Sequence, residues 1–164
     1  MSQQTVIDTH KFAIEQKSLS GELAILELKR LHDLLIKTEG NLSFVLSGRL
    51  GDHRQVCLNL QVSGVLHLVC QRCMNELPYS LNFQVELEMI PEGEEITQDE
   101  LEDDSKDYLP WTKLLNVSEL VEDEVILALP VVARHSVCNL QGRAEAGDLN
   151  SPFAGLATLK TGLN

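Results

Sequence analysis

Aromatic residues are scarce in this chain: one Trp, two Tyr and four Phe in 164 residues. The core must therefore rest on Leu, Val and Ile. No stretch approaches the roughly 18 uninterrupted apolar residues of a membrane-spanning helix, so no such helix is expected. The opening MSQQTVIDTHKFAIEQ lacks a basic start leading into an apolar run, so we expect no secretory signal and a cytoplasmic location. Four cysteines, Cys57, Cys70, Cys73 and Cys138, would be kept reduced there. The signatures GxSxG, HExxH, GxxxxGK[ST] and GxGxxG are all absent, which leaves hydrolytic and nucleotide-cradling chemistry without a motif. Positive charge is also short. Lys plus Arg number 13 against 25 Asp plus Glu, a formal net charge of −12. Binding driven by phosphate neutralisation is disfavoured on such a molecule, although a local basic patch is not excluded.

What is present is ordinary for a globular protein: 43% hydrophobic and 23% charged residues. The length fits a single domain over 1–164 that buries a core without staples. The charge is uneven. Residues 92–107 hold nine acids and one Lys, a local charge of −8, so the rest of the chain carries −4. Such a run cannot bury enough apolar surface to offset its ordering entropy and reads as a solvated, flexible acidic loop. It serves either as a solubilising face or as a docking strip for a basic partner.

The pattern predicts an α+β fold, an antiparallel meander packed with N-terminal and C-terminal helices. Asp8 caps a short helix to about Gln16, and Leu19 to Ala24 read as extended. Ala24, Leu28, Leu31 and Leu35 recur at helical spacing, with Gly40 as the stop. Three stretches then alternate with period two: Leu42 to Leu46, 55–69 and Leu81 to Met89. Gly64 is a candidate bulge in the second. A helix from about Val117 to Leu129 is capped by Asn116, with Glu119 placed to answer the cap. Residues 134–151 read as loop. Residues 152–160 read as a short terminal helix with Phe153, Leu156 and Leu159 on one side.

Cys70-Gln71-Arg72-Cys73 falls at the tip of the second hairpin, and His135 and Cys138 share its spacing after the long helix. Four sulfur and nitrogen donors in two pairs can complete a tetrahedral zinc site. It would fasten the end of the sheet to the loop after the helix and couple metal binding to folding. Two other readings stand beside it: reduced cysteines in a tight turn unrelated to His135 and Cys138, and a thiol redox pair with Arg72 lowering a thiol pKa. Redox pairs gain most at the start of a helix, whereas Pro78 and an alternating strand follow here. Cys57 lies on the more polar side of its strand as an inert, half-buried thiol. The carboxylates at 122–124 wrap around their helix instead of converging on a cation. His32 and His67 read as satisfied structural groups, and His10 and His53 as surface residues. Arg49 and Arg54 flank one hairpin turn and Arg72 the next, so the three belong to opposite ends of the meander.

Taken together, Cys70 to Cys73, VEDEVILALPVV at 121–132, His135 and Cys138 just beyond it, and PFAGLATLK at 152–160 resemble the YceD family, the large ribosomal RNA subunit accumulation proteins. The resemblance runs in order along nearly the whole chain. It implies a bacterial, non-enzymatic role in accumulation or maturation of large-subunit ribosomal RNA. Cysteine-rich tails in some relatives imply a bound metal; this chain has Cys138 with His135 there. Set beside the acidic charge, the implied role points to a basic ribosomal protein or assembly factor as partner, with neither DNA nor membrane involved. Direct contact with ribosomal RNA through a local Arg/Lys face is the alternative, and a thiol oxidoreductase is a third reading.

Overall fold

Period-two alternation becomes sheet along the expected stretches. The computed structural model describes residues 5–51, 54–91, 93 and 106–138. Its elements are β1 (Val6–Asp8), α1 (Thr9–Ile14), β2 (Ser18–Ala24), β3 (Leu35–Lys37), β4 (Asn41–Leu50), β5 (Val56–Val69), β6 (Glu76–Ile90), β7 (Asp107–Pro110), β8 (Leu114–Asn116) and α2 (Val117–Ala128). The fold is α+β, dominated by antiparallel sheet. The main sheet runs β2-β4-β5-β6-β7, and β3 joins β5 beyond the end of β4. Among the described residues, only the β6–β7 pairing in this sheet is parallel. β1 and β8 form a separate two-stranded ribbon.

The even-numbered side chains of β4 and β5 point to one face, as do Leu81, Leu87 and Met89 of β6. There they meet Phe12 and Ala13 of α1, and Val117, Leu120, Val121 and Val125 of α2. Leu46, Leu58, Leu60 and Leu66 have no exposed surface; burying each such side chain contributes about 2 kcal/mol. The opposite face carries Ser43, Gln61, Ser63, Asn82 and Gln84, all exposed. At one end of that face Cys57 lies beside the Arg49–Glu86 and Lys106–Glu88 ion pairs. It is only 2% exposed, more deeply buried than its strand parity suggests, and burial pushes its thiol pKa up.

Both α-helices start where their caps are. Asp8 accepts the Lys11 backbone N–H, and Asn116 accepts that of Ser118 while donating to Glu119 Oε1 at 2.9 Å. The helix expected from Ala24 to Leu35 does not form. Ile25–Glu27 and Lys29–Leu34 are 3₁₀ turns, broken at Leu28 (φ −89°, ψ 78°), and Leu35 already begins β3. The buried residues Ile25, Leu28 and Leu31 recur strictly every three positions, the spacing that a 3₁₀ helix places on one side. Gly40 follows as a turn into β4 instead of a helix stop. Gly64 is no bulge either, since the β4–β5 and β5–β6 registers run through it without a shift. A Cβ there would stand 2.5 Å from Leu42 Cδ2, so the residue is small because β4 approaches closely. Asp107, placed at the end of the acidic loop, is the first residue of β7. The rest of that loop apart from Gly93 and Lys106, residues 139–151 and the terminal helix at 152–160 lie outside the described residues.

Candidate metal centre

The β5–β6 hairpin closes through a tight turn. Cys70 N–H donates to Asn75 O, Met74 N–H donates to Cys70 O at 2.8 Å, and Met74 itself takes φ 59°. This geometry turns both cysteines toward the same side. The segment after α2 comes back to meet them, with Gln71 N–H donating to Ala133 O at 2.8 Å and Ala133 buried. Two chain segments 62 residues apart are thus docked by backbone before any side chain is considered.

Their side chains converge. Cys70 Sγ lies 3.6 Å from Cys138 Sγ, Cys73 Sγ 3.5 Å from His135 Nδ1, and Cys138 Sγ 3.7 Å from His135 Nδ1. All four donor atoms fall within 4.8 Å of one another. Zinc–sulfur bonds of about 2.3 Å and zinc–nitrogen bonds of about 2.0–2.1 Å imply tetrahedral edges of about 3.8 Å between sulfurs and about 3.5 Å between sulfur and nitrogen. The three separations given match those edges, and the others reach no further than 4.8 Å. Cys70, Cys73, His135 and Cys138 therefore lie close enough to hold a metal, and the reading of His135 and Cys138 as unrelated to the cysteine turn is overturned.

The electrostatics fit the same donor set. Burial pushes the Cys70 thiol up, but the backbone N–H groups of Cys73, His135 and Arg72, with the Cys73 thiol, outweigh it and bring Cys70 down to about 5. Burial and the neighbouring Cys70 and Cys73 sulfurs push Cys138 up. Such a cluster resists ionising all its thiols together unless a cation joins it. His135 Nε2 sits 3.0 Å from Glu76 O. A carbonyl only accepts, so Nε2 carries the proton and Nδ1 turns its lone pair to the sulfurs. Glu76 opens a strand where a redox pair would have a helix, so the lowering of Cys70 comes from turn and His135 backbone N–H groups, an arrangement that suits a metal ligand equally.

Other singled-out residues do not join the centre. Arg49 is paired with Glu86, and it lies with Arg54 at the far end of β5 from Arg72, on the order of 40 Å away along the strand. Glu122 and Asp123 both bind Arg30. Glu124 faces elsewhere on α2. His10 is exposed, and His53 lies outside the described residues. His67 Nδ1 is 2.6 Å from Glu76 Oε1, and Lys37 holds the same carboxylate. Lys37 first, opposing burial, and then His67 lower the Glu76 pKa. His32 and His67 both depart from the expectation of satisfied groups, since His32 Nε2 and His67 Nδ1 are buried without a hydrogen-bond partner, the approach of His67 to Glu76 being an ion-pair contact alone. Sequence reasoning missed Glu76, whose carbonyl orients His135, because backbone acceptors leave no trace in residue type.

Residues 58–160 match the family described as large ribosomal RNA subunit accumulation protein YceD. The chain belongs to the YceD family. The match begins inside β5 and takes in all four clustered residues. β2 and β4, which precede it, complete the same sheet. The YceD name implies a role in accumulation of large-subunit ribosomal RNA. No curated protein and no solved structure matches the chain. No helix among the described residues of this YceD chain is long and apolar enough to cross a membrane.

Proposed function

We propose that this chain is a non-enzymatic ribosome-biogenesis factor that promotes accumulation of large-subunit ribosomal RNA by holding a basic ribosomal protein or assembly factor. In this reading residues 1–164 form one YceD-like domain. A structural zinc held by Cys70, Cys73, His135 and Cys138 fastens the outer end of the β5–β6 hairpin to the segment after α2. Zinc in such a site supplies cross-linking, not a reaction: the four protein donors fill a tetrahedron and leave no position for a substrate.

The observation that carries the reading, beyond the family match, is where the charge lies. Lys17, Arg30, Lys37, Arg49 and Lys106 are each engaged by a carboxylate within the fold. Most of the uncompensated acid falls in 92–107. A surplus of this sign attracts cationic proteins and repels polynucleotide. The test is capture of the full chain from growing cells, with protein and RNA adducts read together. Recovery of basic large-subunit proteins, reduced when the eight acids of 92–104 are replaced by Asn and Gln, is the expected result. Recovery of RNA without a basic protein, unchanged by that neutralisation, overturns it.

A second reading has one observation of its own. Arg72 and Arg134 are exposed beside the candidate metal centre, and neither has an ion pair among the described residues. Direct RNA contact there predicts binding that weakens steeply with salt and on neutralising the two arginines.

A further inference from the structure

α2 buries two carboxylates in different company. Glu122 is fully engaged: its Oε1 accepts Arg30 N–H at 2.7 Å and its Oε2 accepts Arg30 Nε at 2.8 Å. Glu124, two residues on, turns to the other side of the helix and is only 5% exposed. It lines a cleft of about 270 Å³ between the last turns of α2 and the strands β6 and β7. Among the described residues it has no hydrogen-bond or ion-pair partner. The nearest cation lining the cleft, Lys106, is held by Glu88 at 3.1 Å.

The walls match the floor in an informative way. Phe83, Val85, Leu127 and Ala128 supply apolar surface, and Asp107 adds a second carboxylate. Burial, then Asp107 and Asp123, keep Glu124 in an unfavourable field that an incoming cation would relieve. Lys and Arg side chains combine a methylene stem with a cationic head, which is the complement of an apolar-walled slot with an unanswered carboxylate. The cleft is smaller than the roughly 300–1,000 Å³ of sites for drug-sized ligands and suits a single side chain. A divalent ion is a poorer occupant, because a hard cation needs about six oxygens and the cleft offers two carboxylates.

We propose that this cleft receives a Lys or Arg side chain of the partner protein, with Glu124 accepting its cationic head. The proposal rests on the reading above that the partner is a basic protein, and it names the contact.

The test uses the full, metal-loaded chain with a short Arg-rich peptide, its Lys counterpart and a citrulline counterpart that keeps the shape without the charge. A single-stranded RNA oligomer is titrated in parallel. E124Q should weaken both cationic peptides about tenfold, as expected for loss of a charge-assisted contact. E27Q, an exposed carboxylate elsewhere, should change them less than about twofold. The citrulline peptide should bind weakly to every form, and the Glu124 carboxyl carbon signal should shift when an Arg or Lys peptide is added. Leu127→Trp, which fills the cleft without changing charge, should reproduce the loss and guards against a folding defect in E124Q. The ratio of Arg to Lys peptide affinity identifies the head group. Equal affinities for wild type and E124Q, or a Glu124 signal that does not move, overturn the cleft assignment. If basic proteins are still captured from cells by E124Q but not after the acids of 92–104 are replaced by Asn and Gln, the companion reading survives and the cleft alone fails. If only the RNA oligomer binds, both fall.

Discussion

Glu124 shows how much one residue can hold. Burial, followed by Asp107 and Asp123, raises its pKa from 4.5 to about 7; Lys106, the cation lining the cleft, is committed to Glu88. A carboxyl whose folded value exceeds its unfolded one holds its proton in the folded state. Stability is therefore lost as pH rises from about 4.5 through about 7. Glu124→Gln removes that loss. The variant should be more stable than wild type above neutrality by on the order of 1–2 kcal/mol, converging with it in acid, as read from urea unfolding along a pH series. For the proposed zinc site, Cys73→Ser or His135→Ala should lower bound zinc to background by metal analysis, while Cys57→Ala keeps the zinc content of the wild type. Chelation of the wild type should lower its unfolding free energy by more than about 2 kcal/mol, because the ion binds the folded arrangement. Cys70 and Cys73 stood out in the sequence by their spacing. Glu124 left a fainter signal: it occupies a position on the apolar stripe of Val117, Val121 and Ala128, where a hydrophobic residue is the norm.

Elements meet through a few specified contacts. Arg30, from the second 3₁₀ turn, is the clamp on α2: it binds Glu122, Asp123 and the Glu119 carbonyl. Arg30→Ala leaves Glu122 buried with only the backbone N–H of residue 30 to answer it. It should cost about 1–3 kcal/mol in chemical denaturation, since half of the arginine is solvent-exposed and screening weakens the pair. Gly64→Ala should cost a further, independent 1–3 kcal/mol or so, because the new methyl must displace Leu42 across the β4–β5 pair. The long strands and both capped helices were legible because each is specified locally, by alternation or by a side chain three residues from its cap. The 3₁₀ turns were misread because periods of 3.0 and 3.6 are hard to separate over two or three turns. β7 and the β1–β8 ribbon were not legible at all: with four or three residues each, they exist only through their neighbours.

At the scale of the whole molecule, one face of the sheet is covered by helices and turns and the other is largely polar, with Val45 and Val65 exposed on it. The hairpin tip that carries Cys70 and Cys73 extends to the segment after α2. Replacing the eight Asp and Glu residues of 92–104 by Asn and Gln, which keeps the connection that the parallel β6–β7 pair needs, should leave the melting temperature of the sheet domain nearly unchanged while lowering affinity for cationic partners. The residual binding should depend less on salt, as measured by titration at two ionic strengths. That outcome would separate the acidic segment's role in attraction from the cleft's role in contact.

The sequence by itself determined the fold class, the three-strand meander, the capped helix and the sign of the charge, because alternation, capping and net charge are properties of neighbouring or summed residues. It also put the two donor pairs on the page, but not their meeting. Only the tertiary structure decided that Gln71 and Ala133 join backbones and bring His135 and Cys138 to the cysteine turn. It likewise decided that, of the two buried carboxylates of α2, Glu122 is answered by Arg30 while Glu124 lines a cleft. Those outcomes depend on which surfaces the packing brings together, and no local pattern records that.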